Sequence, residues 1–212
     1  RDQFTSSDIA RVSIAVAPVN DAPVTEPDTY RTPEDEVLVA PEPQGTLRND
    51  REVDGDVLVD AVMVTPPTMG DAIFNEDGSF TYTPDPNVNG RDTFRYRVYD
   101  STGLFTEDSV EVLLTSVNDA PTAAADLYET QQDQTLSVPA ASGVLVNDSD
   151  VDGPSLCASL IGPPLHGRLT LQASGAFVYV PNGTHSGIDR FQYQVDDGLG
   201  ALVVATAVIA AP

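Results

Sequence analysis

The chain has 212 residues, with 33 carboxylates against ten arginines and no lysine, for a formal net charge of −23. That charge excludes nucleic acid and anionic membrane as partners, because their phosphate contacts would be repulsive. No apolar run approaches the roughly 18 residues of a membrane span, so no membrane insertion by this segment is expected, and the N-terminus shows no signal peptide. The single cysteine, Cys157, forms no internal disulfide.

Taken in chain order, residues 1–18 offer Val12, Ile14 and Val16 on one side of an extended segment. The pentapeptide Val19-Asn20-Asp21-Ala22-Pro23 follows. Short apolar runs at Val37 to Val39, Val57 to Val64 and Ala72 to Phe74 are each bounded by Pro, Gly or Asp and predict strands. Between the first two lies an acidic turn, Asn49-Asp50-Arg51-Glu52-Val53-Asp54-Gly55. Asn75-Glu76-Asp77-Gly78 predicts a hairpin turn into a strand at Phe80-Thr81-Tyr82, with Gly78 free to take a positive φ. From Asp92 to Asp100, Phe94, Tyr96 and Val98 alternate with Arg95, Arg97 and Tyr99, as a half-buried antiparallel strand requires. Gly103 then turns the chain into a last strand around Ser109 to Leu114.

The order then repeats. Val117-Asn118-Asp119-Ala120-Pro121 restates the first pentapeptide 98 residues on, and the same offset carries the first acidic turn onto Asn147-Asp148-Ser149-Asp150-Val151-Asp152-Gly153. An offset of 97 carries Gly90, Asp92, Phe94, Tyr96, Val98 and Asp100 onto Gly187, Asp189, Phe191, Tyr193, Val195 and Asp197. A period near one hundred residues is long enough for each copy to bury its own core, so the copies are separate domains. With no sustained helical periodicity and about seven short strands per copy, the fold class is all-β, two tandem immunoglobulin-like β-sandwiches. The expected division is a terminal strand of a preceding repeat at 1–18, repeat 1 at 19–118 and repeat 2 at 119–212. Superposing the pentapeptides puts Val12, Ile14 and Val16 where Val110, Val112 and Leu114 stand; without a sheet of its own, that strand is expected to be mobile or to pair with a neighbouring molecule.

The Val-Asn-Asp-Ala-Pro linker, the Asn-Asp-x-Asp-x-Asp-Gly turn and the Gly-x-Asp-x-Phe-x-Tyr-x-Val strand together resemble bacterial cadherin-like tandem repeats of large surface adhesins and secreted proteins. The resemblance covers residues 19–210. It implies a cadherin-like sandwich, an extracellular, cell-surface or secreted location, and calcium held between successive domains. Position by position it points to Glu34 and Asp100 of the first copy, to Asn118 and Asp119 of the linker, and to Asp148, Asp150 and Asp152 of the following turn. Asn20, Asp21, Asp50, Glu52 and Asp54 are the first-copy equivalents. The cadherin Asp-Arg-Glu motif has only a loose counterpart in Asp85 and Asn87. Calcium chemistry agrees with this set, since the ion takes six to eight oxygen ligands in irregular geometry. The same carboxylates crowded without a cation would raise one another's pKa values. Turn chemistry and a proline-stiffened linker stand as the alternative account of both motifs.

The function this reading implies is non-catalytic: a calcium-rigidified spacer or adhesion segment whose first partners are other repeats of the same chain. Two alternatives are a module that binds a cell-surface glycan or protein, with Tyr99 and Phe105 as its exposed aromatics, and self-association through the N-terminal strand. His166 and His185 are expected to be surface turn residues, because the first copy has Met69 and Val88 in their places. Cys157 has no basic neighbour in sequence to activate it.

Overall fold

A computed structural model of the protein describes residues 11–153, 155–183 and 185–211. The chain divides into two compact units, Arg1–Ser116 and Val117–Pro212. Among the described residues each unit has seven strands.

In unit 1 these are β1 (Asp28–Pro33), β2 (Leu38–Ala40), β3 (Leu58–Thr65), β4 (Gly70–Phe74), β5 (Phe80–Pro84), β6 (Gly90–Asp100) and β7 (Phe105–Thr115). In unit 2 they are β8 (Asp126–Glu129), β9 (Leu136–Val138), β10 (Cys157–Gly162), β11 (Gly167–Leu171), β12 (Phe177–Pro181), β13 (Gly187–Asp196) and β14 (Leu202–Ala211). Unit 1 packs a four-stranded sheet, ordered β1-β7-β6-β3, on a three-stranded sheet, β2-β5-β4; unit 2 repeats this as β10-β13-β14-β8 and β11-β12-β9. Two sheets face to face bury the alternate residues of each, which is the sandwich expected from the sequence.

The long hairpin of β6 and β7 is the spine of unit 1, pairing Gly90 with Leu114 at one end and Tyr99 with Phe105 at the other. Phe94, Tyr96 and Val98 point inward and are fully buried, as the alternation predicts, against Phe80, Tyr82, Val110 and Val112. Phe80 and Phe94 meet edge to face, with centroids 5.2 Å apart; Phe177 and Phe191 do the same in unit 2 at 5.3 Å. The β4–β5 turn closes where predicted, with Asn75 N–H donating to Ser79 O and Gly78 at φ +76°.

Two features depart from the sequence reading. The polar segments Asp28–Pro33 and Asp126–Glu129 are strands, each running parallel to the last strand of its unit. The strand expected at the N-terminus falls partly outside the described residues, at 1–10; residues 11–18 form no strand, and Val12, Ile14 and Val16 are exposed. Without an adjacent sheet, that stretch leaves its backbone groups to water.

Candidate metal centre

At the start of each unit the linker is tied to two turns of the same unit. In unit 2, Asn118 Nδ2 donates to Asp197 Oδ2 at 2.6 Å and the Asp119 N–H donates to Asp152 Oδ2 at 2.6 Å. A two-residue bridge between Thr122 and Ser149 holds the acidic turn beside the linker. Within the turn, Asp150 Oδ1 accepts from the N–H groups of Asp152 and Gly153, while Oδ2 is buried with no hydrogen-bond donor among the described residues.

Unit 1 repeats the arrangement. Asn20 Nδ2 donates to Asp100 Oδ2 at 2.7 Å and the Asp21 N–H to Asp54 Oδ2 at 2.6 Å. Glu52 Oε1 accepts from the N–H groups of Val53 and Asp54, and Oε2 is buried without a donor among the described residues. Two carboxylates at equivalent positions thus each bury one oxygen that faces no donor, a costly state for an anion and a cheap one for a cation ligand.

The expected ligand set is regrouped. The partner of Asn118 is Asp197, which the sequence reading left out although the 97-residue offset itself carries Asp100 onto it. Asp100 joins Asn20, Thr102 and Leu104 of its own unit. Glu34 and Asp100, placed at one junction by the resemblance, lie at opposite ends of unit 1, Glu34 at the end of β7 that runs on into the Asn118–Asp119 linker. The Glu34 N–H donates to Thr115 O at the far end of β7, whereas Asp100 ends β6 opposite the start of β7. The eleven residues of β7 separate the two ends by about 34 Å, so one ion cannot take both side chains.

Asp100 and Asp197 are also well supplied with donors. Asp100 Oδ1 accepts from the N–H groups of Thr102 and Leu104; Asp197 Oδ1 accepts from those of Leu199, Gly200 and Ala201. For Asp197 the Asn118 amide is the leading cause of a lowered pKa, burial opposing it; for Asp100 burial is the largest influence, and the hydrogen bonds from Asn20 and Thr102 outweigh it.

Asp50 and Asp148 turn inward. Tyr96 donates its hydroxyl to Asp50 Oδ2 at 2.7 Å, and Asp50 Oδ1 accepts from the Glu26 N–H. Asp148 Oδ1 accepts from the Ala124 N–H, and Oδ2 lies 3.3 Å from the Tyr193 hydroxyl. The first acid of each turn is therefore spent on fastening the turn to the core. Asn118, Asp119, Asp150 and Asp152 remain in unit 2, and Asn20, Asp21, Glu52 and Asp54 in unit 1. All offer hard oxygen donors suited to calcium, but four residues fill only part of its shell. Among the described residues no three His, Cys, Asp or Glu side chains gather closely enough to hold a metal ion.

A family model described as the bacterial cadherin-like domain matches residues 20–116 and again 118–211. The chain belongs to the bacterial cadherin-like domain family. The fold of these cadherin-like units is shared with the human mucin-like protocadherin EC1-2 crystal structure, at 14% identity and a TM-score of 0.53, over 90% of this chain and 98% of that one. Human CDH23 EC21-23 gives a TM-score of 0.58 at 14% identity over 91% and 70% of the respective chains. Protocadherin gamma B7 extracellular cadherin domains 1-4 gives 0.52 at 12% over 90% and 51%. A search of curated proteins finds no match.

Other residues singled out by the sequence have structural settings of their own. Phe105 is exposed, but the Arg97 guanidinium lies 4.1 Å from its ring centre and covers that face. His166 and His185 stack, with ring centres 4.0 Å apart and planes 12° from parallel. No helix among the described residues is long and apolar enough to cross a membrane.

Proposed function

We propose that the protein is a calcium-stiffened extracellular spacer of the bacterial cadherin-like family, non-catalytic, within a larger surface or secreted protein. The observation that carries this reading is the buried, donor-free Oδ2 of Asp150, in a turn that the Asp119 N–H ties to the linker through Asp152 Oδ2. Asn118, Asp119, Asp150 and Asp152 would hold the ion, water or oxygens from a neighbouring repeat completing its shell. The ion would draw these carboxylates together and supply the positive charge they lack. This chain's own residues do the rest: the Asp119 N–H bond to Asp152 and the Thr122–Ser149 bridge already seat the linker on the turn. An ion shared by linker and turn converts that seat into a fixed joint and stabilises the folded unit by mass action.

The test is calorimetric titration of calcium into chelator-stripped protein, with Asp150→Asn and Asp152→Asn alongside. Binding that weakens at least tenfold in each variant, with a rise in unfolding temperature and a narrower distribution of interdomain distances by small-angle scattering, is the expected result. Absence of heat and of any thermal shift in the unaltered protein removes the calcium reading and leaves the family assignment standing.

A further inference from the structure

The two copies part company at one place where their folds agree. In unit 1, Asp28 faces inward from β1, 2% exposed, and neither of its oxygens receives a hydrogen bond from a described residue. Its charge is met by Arg48, whose Nε lies 3.6 Å from Asp28 Oδ1 and whose guanidinium carbon stands 5.6 Å from the centre of the Tyr30 ring. An arginine from the unit's own chain thus sits against a buried carboxylate and near an aromatic face.

The 98-residue offset keeps the carboxylate and the ring in unit 2, as Asp126 and Tyr128, and puts Val146 where Arg48 stands. Asp126 is 8% exposed. The Tyr193 hydroxyl donates to it at 2.9 Å, but a phenol brings no positive charge. Burial pushes the Asp126 carboxyl up to about 6, which still leaves it ionised at neutral pH. Beside it opens a depression of about 460 Å³ whose lining includes Asp126, Tyr128, Ser142, Val146 and Asn147. Val146 is 63% exposed, so the mouth is open to solvent where the first copy has its arginine.

We propose that this depression binds a guanidinium group, taking an arginine side chain of a partner protein in the place that Arg48 fills in unit 1. A planar, weakly hydrated cation suits the site because it can lie along the Tyr128 ring while its N–H groups reach the Asp126 carboxylate; a compact, strongly hydrated ammonium gains less from the same surroundings. The acid excess of the chain favours approach of such a cation.

The experiment uses the whole chain at pH 7.5 and low salt, with N-acetyl-arginine amide as the probe, the corresponding lysine amide as control, and backbone amide and methyl resonances as the readout. Saturable shifts centred on Leu127, Tyr128 and Val146 are expected, with the lysine amide at least fivefold weaker. Val146→Arg, a change at an exposed position, refills the site from within and is expected to abolish the shifts; Asp126→Asn is expected to weaken them at least tenfold. Unchanged binding in Val146→Arg, shifts centred elsewhere, equal response to lysine, or no response at all would each overturn the proposal.

Discussion

Four acceptors surround one proton at Tyr193: its hydroxyl lies within 3.3 Å of Ala124 O, Asp126 Oδ2, Val144 O and Asp148 Oδ2. A hydroxyl donates to one acceptor at a time, so two nearby carboxylates cannot both be satisfied by it. Burial is the main cause of the high pKa of Asp126, with the Asp148 charge adding to it and the Tyr193 and Asn147 hydrogen bonds opposing it. Asp28 is pushed further, to about 7, by burial first, against the Arg48 guanidinium and the Asn49 amide and with Asp50 and Asp108 adding repulsion. A carboxyl with a raised native pKa binds its proton more tightly in the folded state than in the unfolded one. Stability from this source is therefore greatest near pH 4 and declines as pH rises, levelling off above about 7 for Asp28. Asp28→Asn is expected to flatten the pH 4–7 limb of the unfolding free energy of unit 1, measured by urea titration with hydrogen exchange resolving the units. A limb of unchanged slope would mean that Asp28 titrates normally. Asp92 and Asp189 act in the opposite sense. Burial raises them, but the backbone N–H groups of Thr68 and Met69, or Leu165 and His166, together with a tyrosine hydroxyl, lower them overall, so their contribution is lost only as pH falls below about 4.

At the scale of elements, what the sequence shows depends on which way the apolar residues face. β6 and β13 are legible because Phe94, Tyr96 and Val98, and their copies, all point into the core. β1 and β8 are not, because the inward residues are Asp28, Tyr30 and Thr32 in the first and Asp126 and Tyr128 in the second, while Leu127 is 69% exposed. Their strand state is imposed by parallel pairing with β7 and β14, a tertiary contact that no local pattern encodes. The β4–β5 turn is legible because its chemistry is local, and it offers a sharp comparison. Gly78 and Gly55 both have positive φ, +76° and +90°, but a Cβ on Gly78 would meet Leu47 Cγ at 2.6 Å, and one on Gly55 would meet nothing within 4 Å. Gly55→Ala carries backbone strain alone, about 1 kcal/mol. Gly78→Ala adds overpacking against Leu47 and Thr46, for a total of about 3 kcal/mol. Equal losses in urea denaturation would show that the Leu47 side chain moves aside freely.

Across the whole molecule, the repeat made the two-domain plan and the acidic linker readable, whereas the grouping of the candidate residues required the third dimension. The motif singles out Asn118 and Asp152; Asp197, the hydrogen-bond partner of Asn118, is hidden in it because a residue late in one copy returns to the beginning of that same copy once β13 has crossed the sandwich. Asp50 and Asp148 look like surface ligands in sequence, and only the position of Tyr96 and Tyr193 turns them inward.

Charge is the other property set at this scale, and it is divided unequally. Unit 1 carries 23 carboxylates against 8 arginines, a net of −15, and unit 2 carries 10 against 2, a net of −8. Part of the excess in unit 1 is offset locally, by Arg91 on Glu111 and by Arg95 and Arg97 on Glu107, but these pairs lie on the outer sheet face and contribute little each. Self-repulsion among surface carboxylates acts over a screening length of about 30 Å at 10 mM salt and about 8 Å at 150 mM. Raising sodium chloride between those limits in chelated buffer is therefore expected to protect the amides of unit 1 against hydrogen exchange more than those of unit 2. Potassium chloride should act identically, because screening depends on ionic strength and not on the identity of the ion. A larger gain in unit 2 would show that local ion pairs, weakened by the same salt, outweigh the net charge of unit 1. A response to sodium that potassium does not reproduce would point to bound monovalent ions in place of diffuse screening.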